Sequence, residues 1–597
     1  MNRSLMFTLL AAALTLPTVG CKPKSKNSDS SGASAKKIFT YARTSAHKSL
    51  DPMRQFDGAS GRIVHTMYDS LVQYHYLKRP YELIPNLLTK LPTVAADGVT
   101  YAFELRDDIF FIDDKCFKDG KGRAVNSNDV LYSLKRFADA KINTNSFHVL
   151  LKGIVTGLDA FREETKKAAG KADYSKLHIS GFHRIDDRRF TIKLTKPNPL
   201  ALMPFAASPL AIVPHEAVTQ YGDEFERNPV GTGPFMMAKY NRRGVMVLKK
   251  NPKYHGVYPS EGEAGDKEAG LLANAGQKLP LIDEIHLPLI EEAQPRILKF
   301  LKGEIEWIGL DKDNFVKMAY KDENGFHLKP DYAQKYRSYF AYSLASEYYA
   351  INMKDPLLGK NKALRQAIAL ALDVPGYIEK MTNGRGVKLN SIVPLGIAGN
   401  EKDTGAVGYT TNLKLAAQKL VEAGYPGGKG LTPLTIEFRG STTSTRQNYE
   451  FHRAQLAKVG IKLEGSFQTF SAFLRKVEAG NFQIASSGWS ADYPDPENFY
   501  QLFYGPNKAP GPNESSYSNA AYDAAYEKSK FMKNGPERYA LFKTMAERIK
   551  EDVPGIVVYN PIVFGLYQPW VGNMKRNMMD NLPLEYISID NSKRKGI

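Results

Sequence analysis

The second half of the chain alternates between strand and helix patterns, and this alternation constrains the fold more than any other feature of the sequence. Alanine-rich segments at 361–373 and 413–423 have high helical propensity, and Gly424 is suited to end the second helix. The pattern continues with a strand at 434–438, a helix at 448–459, a strand at 461–463, a helix at 470–479 and a strand at 482–486. Because strands that alternate with helices are typical of βαβ units, the sequence predicts an α/β fold in layers.

The first half of the chain contains more strand than helix. Strands are predicted at 37–43, 99–106 and 191–194. The last two follow turn signals, and a helix over 130–137 follows a capping sequence at 126–129. The segment 256–278 is rich in Gly, Glu and Ala, so we expect an exposed loop or insertion there.

The bulk composition excludes some classes of protein. A length of 597 residues predicts about three or four domain-sized units, and 43% hydrophobic with 24% charged residues is typical of a soluble globular protein. The formal net charge is +18, but Lys and Arg are spread among Asp and Glu except near 22–26 and 593–595. Since no nucleic-acid-binding module is recognisable, we predict no nucleic-acid partner; the charge fits a solvated surface beside an anionic membrane.

The N-terminus has the pattern of a secretory signal peptide. Arg3 precedes an apolar stretch that ends at Gly20, and this stretch is shorter than a membrane-spanning helix requires. The ending at 18–21 resembles a bacterial lipobox, which would place a lipid on the thiol of Cys21, although Thr18 stands where that motif usually has Leu. We predict a signal peptide at 1–20 and a lipidated Cys21 with a flexible tether up to residue 36. A cleaved signal without a lipid, or a buried apolar segment, is the alternative.

No catalytic or metal-binding motif is apparent. The chain lacks a phosphate-binding P-loop, a nucleophile elbow and a His-Glu-x-x-His pair. His178 and His183 have no cysteines nearby, and Cys116 has no recognisable partner base. The chain has two cysteines, so lipidation of Cys21 leaves Cys116 single, without a disulfide or a thiolate pair for a metal. The sequence predicts a protein that is not an enzyme and has no cofactor.

The segment 488–499 is the densest cluster of aromatic and acidic residues. Asp495 is suited to cap a helix with Pro496 at its first position, which accounts for Asp495 but not for Trp489, Asp492 or Tyr493. These three precede the helix at a strand-to-helix crossing, where ligands of α/β sheets commonly bind. The alternative is that Trp489 belongs to the core and Asp492 to a turn.

Motifs along nearly the whole mature chain resemble one protein family. They lie at 49–52, 67–72, 83–87, 97–106, 128–136, 229–235, 251–254, 364–373, 423–425 and 489–496. Their order and number resemble the family 5 solute-binding proteins of bacterial ABC transporters, the dipeptide- and oligopeptide-binding group. The resemblance implies a two-lobed α/β periplasmic-binding-protein fold (type II, cluster C) with an extra inserted domain and a hinge.

The resemblance also implies a domain division. One discontinuous lobe would comprise 37–70, 175–335 and 553–597, a small inserted domain 71–174, and the second lobe 336–552. The protein would be a periplasmic or extracytoplasmic lipoprotein anchored to a membrane, acting as a monomer that delivers its ligand to the permease of an ABC importer.

The implied ligand is a peptide held mainly through its main chain. Asp492 would receive the α-ammonium of the ligand, with Trp489, Ser490 and Tyr493 beside it. The first strand would contribute Ser45, Ala46 and His47, and some relatives carry Glu where Ala46 stands. A different solute (sugar, opine or metal chelate), a peptide-sensing or chaperone receptor, and a secreted hydrolase are the alternative functions.

Overall fold

The structure is a computed structural model. It describes residues 35–594, with the exception of 56, 143–145, 406–407, 577 and 580–582. The part from Lys37 onward forms a structural unit of its own and contains the elements described below. The predicted signal peptide, Cys21 and most of the tether lie outside the described residues. Within the described part, no helix is both long enough and apolar enough to cross a membrane.

Twenty-two strands occur in the described part. They are β1 (Ile38–Thr40), β2 (Val72–Tyr74), β3 (Leu83–Pro85), β4 (Thr93–Val94), β5 (Thr100–Glu104), β6 (Phe182–Arg184), β7 (Arg189–Lys193), β8 (Phe235–Lys239), β9 (Val245–Lys250), β10 (Glu284–Pro288), β11 (Trp307–Gly309), β12 (Ala319–Asp322), β13 (Gly325–Leu328), β14 (Arg337–Tyr342), β15 (Ala345–Ile351), β16 (Gly386–Lys388), β17 (Leu434–Phe438), β18 (Leu463–Phe467), β19 (Ile484–Ser490), β20 (Gly555–Tyr567), β21 (Val571–Gly572) and β22 (Ser588–Ile589).

Seventeen α-helices occur in the same described residues. They are α1 (Gly58–Val64), α2 (Ser127–Ala138), α3 (Ser146–Leu150), α4 (Leu158–Lys167), α5 (His215–Tyr221), α6 (Ala293–Leu301), α7 (Lys312–Met318), α8 (Pro330–Ala333), α9 (Lys362–Ala371), α10 (Val374–Thr382), α11 (Glu401–Thr404), α12 (Leu413–Glu422), α13 (Thr443–Ala457), α14 (Phe470–Glu478), α15 (Glu497–Tyr500), α16 (Ala520–Ser529) and α17 (Pro536–Asp552).

Three larger sheets organise the fold. The first has the order β1-β10-β9-β8, with β1 parallel to β10. The second, β4-β5-β7-β6, is antiparallel and joins β5 to strands that follow residue 174. The third has eight strands in the order β11-β20-β15-β19-β17-β18, with β14 and β16 also paired to β20. In this sheet β17 is parallel to both β18 and β19, as the alternation of strands and helices predicts.

Strand β20 connects the two halves of the molecule. Its first residues pair with β15 and contribute Ile556 and Val558 to a core built from helices α9, α12 and α13. Its last residues pair with β14 and contribute Phe564 and Leu566 to a different core, which contains residues of α6 and α7. The connection from β14 to β15 runs beside it. Two neighbouring segments therefore join the halves, which is a suitable arrangement for a hinge.

Most of the predicted elements are confirmed, and local caps explain where two of the helices begin. The Asn361 side chain accepts a hydrogen bond from the backbone of Leu364 at 3.0 Å and begins α9. Asn126 and Asp129 form a reciprocal capping box at the start of α2. The predicted strands at 434–438, 99–106 and 191–194 correspond to β17, β5 and β7.

Several boundaries differ from the prediction, three of them in the second half of the chain before α15. Helix α13 begins five residues early, because the Thr442 side chain caps it by accepting from Thr445. Strand β18 begins only at Leu463, where its pairing with β17 begins. Strand β19 extends to Ser490, because β15 supplies pairing partners up to that residue. Trp489 therefore lies in the strand rather than after it.

The predicted loop at 256–278 is largely exposed, but it is bonded to other parts of the protein. An isolated bridge between Val257 and Lys278 closes its base. Tyr258 and Asp266 are buried at 1% and 6% exposure. The ammonium of Lys575 lies 2.8 Å from Asp266 and 2.6 Å from Glu263. The loop is thereby fixed to the C-terminal part of the chain.

A buried ion pair fixes the segment between β19 and α15. The guanidinium of Arg538 on α17 donates to both carboxylate oxygens of Asp495, at 2.7 and 2.8 Å, and both side chains are essentially inaccessible to solvent. Arg538 also donates to the carbonyl of Ser529, and Asp495 accepts from the backbone of Glu497 at 2.9 Å. The helix begins at Glu497, one residue later than Pro496, where the sequence predicts its first turn.

Removal of one member of this pair is expected to destabilise the second half of the chain. Arg538→Met leaves a buried carboxylate without a counter-charge, which costs about 3–5 kcal/mol of the free energy of unfolding. Urea unfolding followed by circular dichroism measures the loss. The control is Lys528→Ala, which breaks an exposed pair between α16 and Glu537 of α17 and should cost less than about 1 kcal/mol. Equal losses in the two variants would contradict the assigned role of the buried pair.

Candidate functional site

A cavity of about 530 Å³ lies between the segment that follows β1 and the end of β19. This volume is within the usual range for sites that hold small molecules. Residues 487–492 line one side, together with Phe470 and Phe473 of α14. Residues of the first half, including Tyr41, Ser45 and Arg62, line the opposite side. Any ligand in the cavity would therefore touch both halves of the molecule.

Asn498 organises the lining at the end of β19. Its side chain is fully buried, and its Oδ1 accepts from the indole Nε1 of Trp489 and from the backbone nitrogen of Asp492, both at 3.0 Å. Its Nδ2 donates to Oδ2 of Asp492 at 3.1 Å. One amide thus fixes both the indole and the carboxylate. Asn498 was not predicted as a site residue, although its place in the first turn of α15, directly after the aromatic and acidic cluster, could have indicated it.

Asp492 carries a negative charge without a cationic partner. Its carboxylate is half-buried, lines the cavity and forms no ion pair with any Lys, Arg or His in the part of the chain that the structure describes. Burial raises the pKa of Asp492 to about 6, and the charge of Glu497 also raises it, while the hydrogen bond from Asn498 lowers it. At neutral pH the cavity therefore holds an ionised carboxylate that a cation would stabilise.

Tyr493 lies behind the cavity rather than in its lining. Its ring is buried with core residues of the first half of the chain, and its hydroxyl donates to the carboxylate of Glu497. The hydroxyl of Tyr526 donates to the same carboxylate. Tyr493 thus packs one half of the molecule against the other, whereas Trp489, Ser490 and Asp492 line the cavity.

Ser45, Ala46 and His47 do not belong to the first strand, which corrects the sequence analysis. Strand β1 ends at Thr40, and its pairing continues only as isolated bridges up to Arg43. The Arg43 guanidinium donates to the carbonyls of Gly244, at 2.8 Å, and of Leu287 and Arg242, both at 3.1 Å. The backbone of Arg43 also pairs with Pro288 and Ile290, so contact with the sheet extends to Arg43 but not to Ser45.

The three residues have different positions relative to the cavity. Ser45 lines it, whereas Ala46 and His47 do not. The His47 ring is buried, with Nε2 3.2 Å from the hydroxyl of Tyr240. Burial and the charges of Arg43 and Arg242 lower the pKa of His47 to about 4, so this imidazole is neutral and structural.

In the described part of the chain, the remaining titratable groups give no sign of a catalytic or metal centre. Burial raises the pKa of Cys116 to about 12, so its thiol remains protonated at neutral pH. Among the described residues, Asp129, His215 and Glu216 are the one group with the spacing of metal ligands. Arg123 donates to both carboxylates, at 2.7 Å to Asp129 and 2.6 Å to Glu216, so a guanidinium already neutralises them.

Comparison with known proteins agrees with this architecture. Residues 82–511 match the model of the bacterial extracellular solute-binding proteins, family 5 Middle. The heme-binding protein A of Haemophilus influenzae is 24% identical over 579 residues, covering 94% of this chain and 95% of that protein. The dipeptide-binding protein of Escherichia coli is 24% identical over 506 residues, covering 83% and 84%.

Solved structures show the same fold. The binding protein DppA of Helicobacter pylori, in complex with the peptide STSA, superposes with a TM-score of 0.75 at 23% identity, covering 93% of this chain and 98% of that one. Haemophilus influenzae OppA, in complex with the peptide RPPGFSPFR, superposes with a TM-score of 0.76 at 19% identity, covering 93% and 99%. The fold is the two-lobed type II fold of periplasmic binding proteins. With the family match over most of its length, the chain belongs to the bacterial extracellular solute-binding proteins of family 5.

Proposed function

We propose that this protein captures peptides in the cavity between its lobes and delivers them to the permease of an ABC importer. As a member of a solute-binding family it is a binding protein and not an enzyme. The observation that carries the proposal is the half-buried carboxylate of Asp492, which faces the cavity without a cationic partner in the described residues. The α-ammonium that peptides share is a cation of the required charge. Relatives named as dipeptide- and oligopeptide-binding proteins support the same ligand class.

The edge of β19 suits the main chain of such a ligand. Pairing between β17 and β19 stops at Ala485, whereas residues 487–490 line the cavity. An extended peptide beside these residues can form strand-like hydrogen bonds, which provide affinity without recognition of side chains. Water in the remaining volume can bridge to side chains of different length. Closure of the lobes around the hinge then couples occupancy to a shape that a permease can recognise.

The predicted domain division is part of this proposal. The first lobe comprises 37–70, 175–335 and 553–597, the small domain 71–174, and the second lobe 336–552. The separate cores on either side of β20 support the division into lobes. The pairing of β5 with β7 shows that one sheet extends across the boundary near residue 174. We propose that the protein acts as a monomer.

The heme-binding relative makes a metal chelate the second candidate ligand. The cavity lining carries three carboxylates (Asp57, Asp492 and Glu514) and three guanidiniums (Arg43, Arg62 and Arg439), so its charge alone does not choose between the two ligands. Visible absorption spectra during titration of the purified protein with heme distinguish the two ligands. Saturable binding of heme, with no binding of free peptides, would replace the peptide proposal.

Asp492→Asn is expected to abolish recognition of the free amino terminus. Loss of the buried charge pair should cost about 2–5 kcal/mol of binding free energy, which is at least about thirtyfold in Kd. Calorimetry with a free and an N-acetylated tetra-alanine peptide measures this loss, and the acetylated peptide should bind the two proteins equally. The control is Asp223→Asn, an aspartate whose side chain is 86% exposed and which does not line the cavity. Equal loss for both peptides would refute the role of Asp492.

Peptide affinity is expected to decrease as the pH is lowered through about 6. The folded-state pKa of Asp492 is raised to about 6, so its charge is present above that pH and is lost as pH falls through it. The ligand ammonium stays protonated over this range, and the ionised fraction of Asp492 falls about tenfold between pH 7 and pH 5. Kd should rise by about the same factor. The same titration with Asp492→Asn distinguishes the effect of this carboxylate from effects of Glu514 and His65, which also line the cavity. If Kd depends on pH in the variant as it does in the wild-type protein, Asp492 is excluded as the cause.

Lipid anchoring at Cys21 remains a proposal from the sequence. It predicts that the protein expressed in a bacterial host fractionates with the membranes and incorporates labelled palmitate. Cys21→Ser should move the protein to the soluble fraction without the label, and Cys116→Ser serves as the matched control. Identical fractionation of the two variants would contradict the anchor.

A further inference from the structure

Glu514 is a second carboxylate of the cavity lining, and its backbone is rigidly held. Its neighbours Asn513 and Ser515 are buried at 0% and 1% exposure. Asn513 donates to the carbonyls of Tyr504 and Tyr517, both at 2.9 Å, and accepts from the hydroxyl of Ser515 at 2.8 Å. Because both neighbours are fixed, the half-buried Glu514 side chain cannot leave the cavity lining by a movement of its loop.

Glu514 has no ion-pair partner among the described residues. The hydroxyl of Tyr348 donates to its carboxylate at 3.4 Å, and the hydroxyl of Ser487 also bonds to it. The guanidinium of Arg439, whose charge acts on Glu514, forms an ion pair with Glu347. Burial raises the pKa of Glu514 to about 6, although the charge of Arg439 opposes this shift.

The backbone interval between the residues that hold the two carboxylates can be bounded along β19. Glu514 contacts Ser487, which lies five residues before Asp492. At about 3.4 Å per residue, an extended chain covers this interval in at most ~17 Å. A peptide that lies along β19 with its ammonium at Asp492 advances at the same rate per residue. Glu514 is therefore within reach of a long side chain on one of the first few residues of the ligand.

We infer that the ligands of this protein carry a second cation, a Lys or Arg side chain within about the first five residues, and that Glu514 binds it. The inference rests on the proposed function. Phe473 and Leu474 line the same cavity and provide apolar surface for the methylene part of such a side chain. The ligand class is thus peptides with a basic residue near a free amino terminus.

The test uses the wild-type protein and a set of five-residue alanine peptides with free amino termini. Each peptide carries one substitution, either Lys or its uncharged analogue norleucine, at position 2, 3, 4 or 5. Calorimetry gives the ratio of the Kd for norleucine to the Kd for Lys at each position. At one position, Lys should bind about ten- to a hundredfold more tightly, as expected for a hydrogen bond between charged groups.

Two variants assign the preference to Glu514. Glu514→Gln should reduce the ratio at that position to about one. Glu450→Gln is the control, because Glu450 carries the same charge, pairs with Arg453 at 2.5 Å and does not line the cavity. It should retain the ratio.

The outcomes separate the inference from the proposed function. If wild-type protein binds the peptides through Asp492 but shows no Lys preference at any position, the inference is overturned and the proposed function stands. A preference that persists in Glu514→Gln also overturns it. If no peptide of either series binds, the proposed function fails together with the inference. The ratios measured with the wild-type protein test for the second cation site even if Glu514→Gln does not fold.

Discussion

The buried ion pair between Asp495 and Arg538 is the interaction on which the candidate site depends. It joins α17 to the short segment between β19 and α15, where both charges are removed from solvent. With Asp495 fixed, α15 begins at Glu497 and places Asn498 beneath the end of the strand. The Asn498 amide then sets the positions of Trp489 and Asp492. Each contact in this series holds the next one in place.

The two aspartates of this segment show how environment separates structure from function. Asp495 and Asp492 are three residues apart and chemically identical. Asp495 has two hydrogen bonds from a guanidinium, so its burial is compensated. Asp492 accepts from a neutral amide, so its burial is not compensated and its pKa rises to about 6. An uncompensated carboxylate beside a cavity lowers the stability of the empty protein and favours a cationic ligand.

The position of the cavity follows from the pairing of one strand. β19 is central in its sheet, with β15 on one side and β17 on the other, but its contact with β17 covers only Ile484 and Ala485. Its remaining residues extend past β17 toward the first half of the chain. The hinge strands β14, β15 and β20 belong to the same sheet. Movement of the hinge would therefore act directly on the strand that lines the site.

The sequence by itself determined the elements whose signals are local. The capping sequence at 126–129, the alanine-rich helix at 361–373, the strands β5 and β17, and the family motifs needed no tertiary context, since each depends on neighbouring residues. The aromatic and acidic cluster before the predicted helix start is a local pattern that singled out Trp489 and Asp492, whereas Ser490 and the ligand role of Asp492 came from the family resemblance.

Tertiary structure decided the features that depend on distant partners. The extension of β19 to Ser490 required β15, and the short length of β1 was set by its pairing with β10. The assignments of Asn498 and Glu514 depended on burial and on which charges lie within reach. These quantities are set by residues far apart in the chain, so local sequence patterns could not contain them.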